Sequence, residues 1–225
     1  MSQDQAPGDA ARGFLLVADA HGRLALKATH RPDVGVVCAD WQGAEQQRRI
    51  AAGKRQLLAR ACGIGRTLPW RVLDATAGLG RDGLTLAALG ATVTLVERQP
   101  MIAALLQDAL QRLRQVNPLL AARIEVVQGD ARPLLDTPRP MWDVIYLDPM
   151  YPHRNKAALP SKEMQFFREL TDGDPDADAL LAPAIHNVGW RVAVKRPLAA
   201  PPLGGLEADQ SLRGTQARFD LYWSR

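Results

Sequence analysis

Residues 70 to 83 read WRVLDATAGLGRDG, and the way this stretch folds decides the architecture. A short apolar run, Val72 and Leu73, ends in Asp74 and gives way to glycines spaced G-x-G-x-x-G at Gly78, Gly80 and Gly83. Strand, tight turn and helix in that order open a βαβ unit and place backbone N–H groups beside a ligand. The same alternation continues outward. ATVTLVE (91–97), RIEVVQ (123–128), WDVIYLD (142–148) and RVAVKR (191–196) are short apolar strands, and helical stretches separate most of them. One of these stretches carries Met101, Ile102, Leu105, Leu106, Leu110 and Leu113 at helical spacing, with Pro100 in its first turn. The alternation predicts right-handed βαβ units in a mostly parallel, twisted α/β sheet covered by helices on both faces. ARFDLYW (217–223) predicts a last strand.

Upstream of residue 68 the pattern differs. GFLLVADAHGRLALKA (13–28) predicts a hairpin turning at His21-Gly22, and VGVVCADW (34–41) a further strand. AEQQRRIAAGKRQLLARACGIGR (44–66) predicts an amphipathic helix with a basic face of Arg48, Arg49, Lys54, Arg55, Arg60 and Arg66 against the single acid Glu45. The chain thus divides into a flexible start (1–12), a small β-containing extension with a basic helix (13–67) and the βαβ domain (68–225). Its 225 residues suffice for one full α/β core plus that extension. With 47% apolar residues and evenly spread charge, disorder is not expected. No apolar run reaches the length of a membrane span. The first residues, MSQDQAPGDAARG, lack the basic and apolar segments of a signal peptide, so a cytoplasmic location is expected. Cys38 and Cys62 lack metal-type spacing and read as free thiols, and His21, His30 and His186 have no ligand spacing, so no metal is expected. A net charge of +4 permits a polyanionic partner.

Ligands of such sheets bind beyond the carboxyl ends of the strands. Those ends carry Asp74 and the glycine turn with Arg81-Asp82, then Glu97-Arg98, then Asp130-Ala131, then Asp148. Glu97 lies nineteen residues after Gly78, as in dinucleotide-binding folds, where the acid holds ribose hydroxyls. Asp82, however, would face a pyrophosphate with negative charge. The acids Asp130 and Asp148 suit a ligand bearing a sulfonium, an amine and an adenine amino group. S-adenosyl-L-methionine (SAM) has all three. Its ribose suits Glu97, and Asp130 suits its adenine.

Residues 146 to 154, YLDPMYPHR, then acquire a purpose. Pro149 and Pro152 stiffen the loop and keep the residues before them out of helical space. Asp148-Pro149-Met150-Tyr151 is similar to the [D/N/S]-P-P-[Y/F] motif of methyltransferases acting on exocyclic base amines, with methionine in place of the second proline. Such an amine is a weak nucleophile because its lone pair is delocalised into the ring. A carboxylate accepting its N–H localises that pair, the Pro149 carbonyl accepts the second N–H, and Tyr151 stacks on the flipped base.

DATAGLGRD, VERQP, YLDPMYPHR, KAAL, KEM, VKRP and PPL, in this order, resemble the RsmJ family, bacterial SAM-dependent enzymes that methylate a guanine N2 of 16S ribosomal RNA. That family itself carries D-P-M-[F/Y]-P. The resemblance implies a Rossmann-like class I methyltransferase fold. It places SAM against Arg81, Asp82, Glu97, Arg98, Asp130, Ala131 and Asp148, to which the first strand end and its glycine turn add Asp74, Gly78 and Gly80, while the Asp-Pro-Met-Tyr motif puts catalysis on Asp148, Pro149 and Tyr151. It implies 16S ribosomal RNA or the small ribosomal subunit as partner. Arg154, Lys156, Lys162, Lys195, Arg49, Lys54 and Arg55 are the expected RNA contacts. Lys195 reads equally well as one half of an ion pair, and His153 as a phosphate or loop-orienting contact. Two other function classes stay open from sequence: an NAD(P)-dependent oxidoreductase, which would bind NADH and not SAM, and a non-catalytic RNA-binding module, against which the intact Asp148, Pro149 and Tyr151 speak.

Overall fold

The computed structural model describes residues 13–65, 70–137, 140–150, 162–171 and 176–225. The chain opens with the antiparallel hairpin β1 (Phe14–Ala18) and β2 (Leu24–Ala28). The strand expected over 34–41 does not form. A single bridge joins Leu26 to Val37, and part of the run is buried from a loop while Val36 stays exposed. Val34, Ala39 and Trp41 all enter the core, and the Trp41 indole N–H donates to the Leu79 carbonyl at 2.8 Å. A short apolar run is consistent with burial in any conformation, so periodicity alone misreads it.

The basic helix expected over 44–66 is broken into α1 (Ala44–Ala51), a 3-10 turn (Gly53–Arg55) and α2 (Leu57–Ala61). Gly53 adopts φ +66°, which ends α1, and Gln56 is extended. The Gln56 side-chain amide donates to the carbonyls of Arg49 (3.0 Å) and Gly53 (2.9 Å), satisfying acceptors that the break exposes.

Downstream the expected alternation holds. The elements are β3 (Arg71–Asp74), α3 (Arg81–Ala88), β4 (Thr92–Glu97), α4 (Pro100–Val116), α5 (Pro118–Ala121), β5 (Ile124–Gln128), α6 (Arg132–Leu135), β6 (Trp142–Leu147), α7 (Lys162–Thr171), α8 (Asp178–Asn187), β7 (Val188–Pro197), β8 (Gln210–Arg213) and β9 (Ala217–Trp223). Seven strands form one sheet in the order β5-β4-β3-β6-β7-β9-β8. β3 to β7 run parallel, while β9 is antiparallel to β7 and to β8.

Strand alternation sorts the core into two layers. On one face Val72, Val93, Leu95, Val144 and Tyr146 meet α3 and α4, and the same cluster takes in Phe14, Leu26 and Trp41. On the other face Leu73, Val96, Ile145, Leu147, Val192 and Val194 meet Leu135 of α6 and Leu181 and Ile185 of α8. Each such side chain contributes roughly 1.5–3 kcal/mol on full burial. The N-terminal extension therefore shares a core with the sheet. Strand order reverses between β3 and β6, and the crevice at their carboxyl ends is where such sheets take ligands.

Candidate active site

At that crevice Asp74 ends β3, Glu97 ends β4, Asp130 follows β5 and Asp148 follows β6. A cavity of about 390 Å³ is lined by all four, together with Gly78 and Lys195. The glycine turn is built for approach. Gly80 precedes α3 at φ +70°. A Cβ at Gly83 would lie 2.2 Å from the Leu95 side chain, so α3 can sit close on β4 only with glycine there. A Cβ at Gly78 would meet no atom within 4 Å, which leaves backbone open to a ligand.

Glu97 is buried at the foot of this turn. Its Oε2 accepts the Gly78 N–H at 2.9 Å and its Oε1 accepts the Gln99 N–H at 2.8 Å. Glu97 also lines the cavity, where a carboxylate suits vicinal hydroxyls. Asp130 sits nearer the rim, where its carboxylate accepts the Arg132 backbone N–H (2.9 Å) and Nε–H (2.8 Å). The Arg132 hydrogen bonds hold its carboxyl below the usual range. Arg98 reaches across the same rim to Asp176 at 2.6 Å. Arg81 begins α3 and, like Ala131 and Pro149, lines the cavity.

Deeper in, Asp82 gathers three donors. Arg49 Nη2 from α1 bonds its Oδ1, while the Tyr146 hydroxyl (2.6 Å) and Lys195 Nζ (3.1 Å) bond its Oδ2. Burial opposes its charge, but Lys195, Arg49 and the Tyr146 hydroxyl outweigh burial and depress the pKa. Lys195 Nζ also donates to Asp148 Oδ2 at 2.7 Å. Burial alone would lower the Lys195 pKa; the two carboxylates drive it above its ordinary value. The Asp148 backbone N–H donates to Thr76 Oγ1 at 2.6 Å, which fixes the strand end against the glycine loop. Burial raises the Asp148 pKa and Lys195 opposes the rise, so the carboxyl stands above the usual range. Asp74, 1% exposed, is pushed well above that range by burial and then by the negative charge of Asp82.

Of the residues expected at an RNA face, Arg49 turns inward to Asp82 and Lys195 lies between the two acids. Lys54 and Arg55 are exposed in the 3-10 turn, and Lys162 begins α7. Tyr151, His153, Arg154 and Lys156 lie outside the described residues. Among the described residues no cluster of His, Cys, Asp or Glu is placed to hold a metal, and no helix is long and apolar enough to cross a membrane. Sequence reasoning missed Thr76, Tyr146 and Asp176. Tyr146 was within reach, since it lies on β6 two residues before Asp148, which follows that strand directly, and so leans to the same face.

The donor set fits SAM. The crevice offers carboxylates to a sulfonium and an ammonium, a buried acid to a ribose, and bare glycine backbone beside them. Fold and site together define a SAM-dependent methyltransferase, and residues 3–224 match a family model described as "Putative SAM-dependent methyltransferase". The crystal structure of a SAM-dependent methyltransferase from Neisseria gonorrhoeae is similar, at 32% identity and a TM-score of 0.72, covering 99% of this chain and 86% of that one. Ribosomal RNA small subunit methyltransferase J of Pseudomonas paraeruginosa is 49% identical over 190 residues, which is 80% of this chain and 71% of that protein. The protein of the same name from Shewanella amazonensis is 42% identical over 224 residues, 97% of this chain and 90% of that protein. The chain belongs to the ribosomal RNA small subunit methyltransferase J family.

Proposed function

We propose that this enzyme methylates the exocyclic N2 amine of one guanine in 16S ribosomal RNA, acting in the cytoplasm. The observation that carries this reading is the state of Asp148. It leaves the β6 end beside the cofactor acids, with Oδ2 held by Lys195 and no hydrogen bond at Oδ1 among the described residues. An open carboxylate oxygen at that point suits an N–H donor. The relatives' names supply the class of nucleic acid.

Bound SAM supplies an electrophilic methyl group on a sulfonium. The chain supplies position and charge. Asp148 accepts one N–H of the guanine amine and the Pro149 carbonyl accepts the other, which localises the nitrogen lone pair toward the methyl. As the N–C bond forms and the nitrogen becomes cationic, the Asp148 charge stabilises it. The amine then sheds a proton to Asp148, whose raised pKa suits it to accept. Tyr151 stacks on the extruded base, an interaction worth roughly 1–3 kcal/mol. Arg154, Lys156 and Lys162 follow this loop in sequence, and Lys54 and Arg55 offer further positive charge to phosphate. Nucleoside mass spectrometry of ribosomal RNA from a deletion strain tests the reading. It requires loss of one N2-methylguanosine from the small-subunit RNA, and an unchanged nucleoside profile rejects it.

A further inference from the structure

Of the two sequence readings of Lys195, an RNA-facing rim contact or half of an ion pair, its surroundings fit the second. β7 runs parallel beside β6 with Val194 abreast of Leu147, so the next residues, Lys195 and Asp148, stand side by side. The ammonium bridges Asp148 Oδ2 at 2.7 Å and Asp82 Oδ2 at 3.1 Å, which uses two of its three donors. Asp82 is itself pinned by Arg49 from α1 and by the Tyr146 hydroxyl from β6, and its side chain is only 11% exposed. The bridge therefore has a fixed end and a working end. A cation placed between two carboxylates also has little net field left to draw a phosphate.

We propose that Lys195 is a positioning residue of the methyl transfer: anchored on Asp82, it clamps Oδ2 of Asp148 and so turns Oδ1 toward the substrate amine. This rests on the reading of Asp148 as the amine's acceptor. The clamp also governs charge. The groups bearing on Asp148 are Lys195 from β7, Asp82 from α3, Asp74 at the end of β3, Arg49 from α1 and Tyr146 within β6. Burial and the neighbouring acids disfavour an ionised Asp148; Lys195 opposes them. Without it, Asp148 titrates at higher pH and loses its preferred orientation.

The test uses Lys195→Met, which keeps the aliphatic stem, and Lys195→Arg, which keeps the charge. With saturating SAM, kcat for 16S RNA methylation should fall by about tenfold or more in the Met variant, while KM for RNA and SAM affinity stay within about threefold. The acid limb of the rate profile should move to higher pH, and the Arg variant should recover part of both. A raised KM for RNA with a flatter salt dependence, and with kcat and the acid limb unchanged, would make Lys195 a phosphate contact and overturn the proposal. A carboxylate-carbon NMR titration of Asp148 in the free protein needs no substrate. A midpoint displaced upward in Lys195→Met supports the clamp, and an unmoved midpoint refutes it. That readout separates a failed clamp from a failed choice of RNA substrate.

Discussion

At the scale of single residues, the proposed function assigns transfer to Asp148 and cofactor binding to Glu97. Replacing Asp148 by Asn keeps the volume but offers the amine a weaker acceptor and a competing donor. Losing a charge-assisted hydrogen bond formed mainly in the transition state costs roughly 1.5–3 kcal/mol, so turnover should drop about ten- to a hundred-fold. SAM affinity, measured separately by calorimetry, should stay near wild type; turnover within about twofold would remove Asp148 from the mechanism. Glu97→Ala should do the reverse, weakening SAM binding by roughly 1.5–3 kcal/mol. Because Glu97 also accepts the N–H groups of Gly78 and Gln99, some stability is lost with it. Unchanged affinity in a folded variant would mean the ribose lies elsewhere. Asp74 gives a pH signature. Its folded-state pKa lies well above the ordinary 3.8, so the folded protein holds a proton that the unfolded chain releases. Stability from this group is full below that ordinary value and is lost as pH rises through the folded one. Urea midpoints of wild type should therefore decline relative to Asp74→Asn as the pH is raised above the ordinary carboxyl value. Parallel curves for the two proteins would place the Asp74 pKa at its ordinary value.

At the scale of elements, the glycine turn and the broken basic helix show what the sequence makes legible. Gly83 was readable as the third glycine of the motif, and its reason is packing. Gly83→Ala puts a methyl 2.2 Å from the Leu95 side chain, forcing α3 away from β4. Overpacking of this kind costs roughly 1–3 kcal/mol, to be read from urea unfolding, and a variant as stable as wild type would show that α3 yields freely. The βαβ strands were legible because their alternation matches two buried faces, as Val72 and Leu73 or Tyr146 and Leu147 show. The run 34–41 was not, because one bridge at Val37 and the anchoring of Trp41 replace a ladder. Nor was the break at Gly53, whose partner Gln56 reads in sequence as one more helical residue. The acids at strand ends were legible from position alone. The cations that hold them were not, since Arg49 meets Asp82 across 33 residues and Lys195 meets it across 113. Such contacts depend on how the N-terminal layer and β7 dock, which no local pattern encodes.

At the scale of the whole molecule, the extension and the sheet form one core, and the extension carries exposed basic residues. Arg48, Lys54 and Arg55 are exposed, whereas Arg49 is committed to Asp82. Neutralising the exposed three should weaken RNA binding and leave SAM affinity intact. Each phosphate that is no longer neutralised flattens the log-affinity against log-salt slope by roughly 0.7 to 0.9, so a change of about 2 is expected for the triple variant. A slope equal to wild type would return these residues to an ordinary solvated face. The central claim, that Asp148 directs a SAM methyl onto a guanine N2 of small-subunit RNA, has one direct measurement. Purified protein is incubated with deuteromethyl SAM and small subunits from the deletion strain, and the 16S RNA is digested and analysed by mass spectrometry. The expected result is deuterated N2-methylguanosine at one site, strongly reduced with Asp148→Asn; label in another nucleoside, or none from a protein that binds SAM, would contradict it.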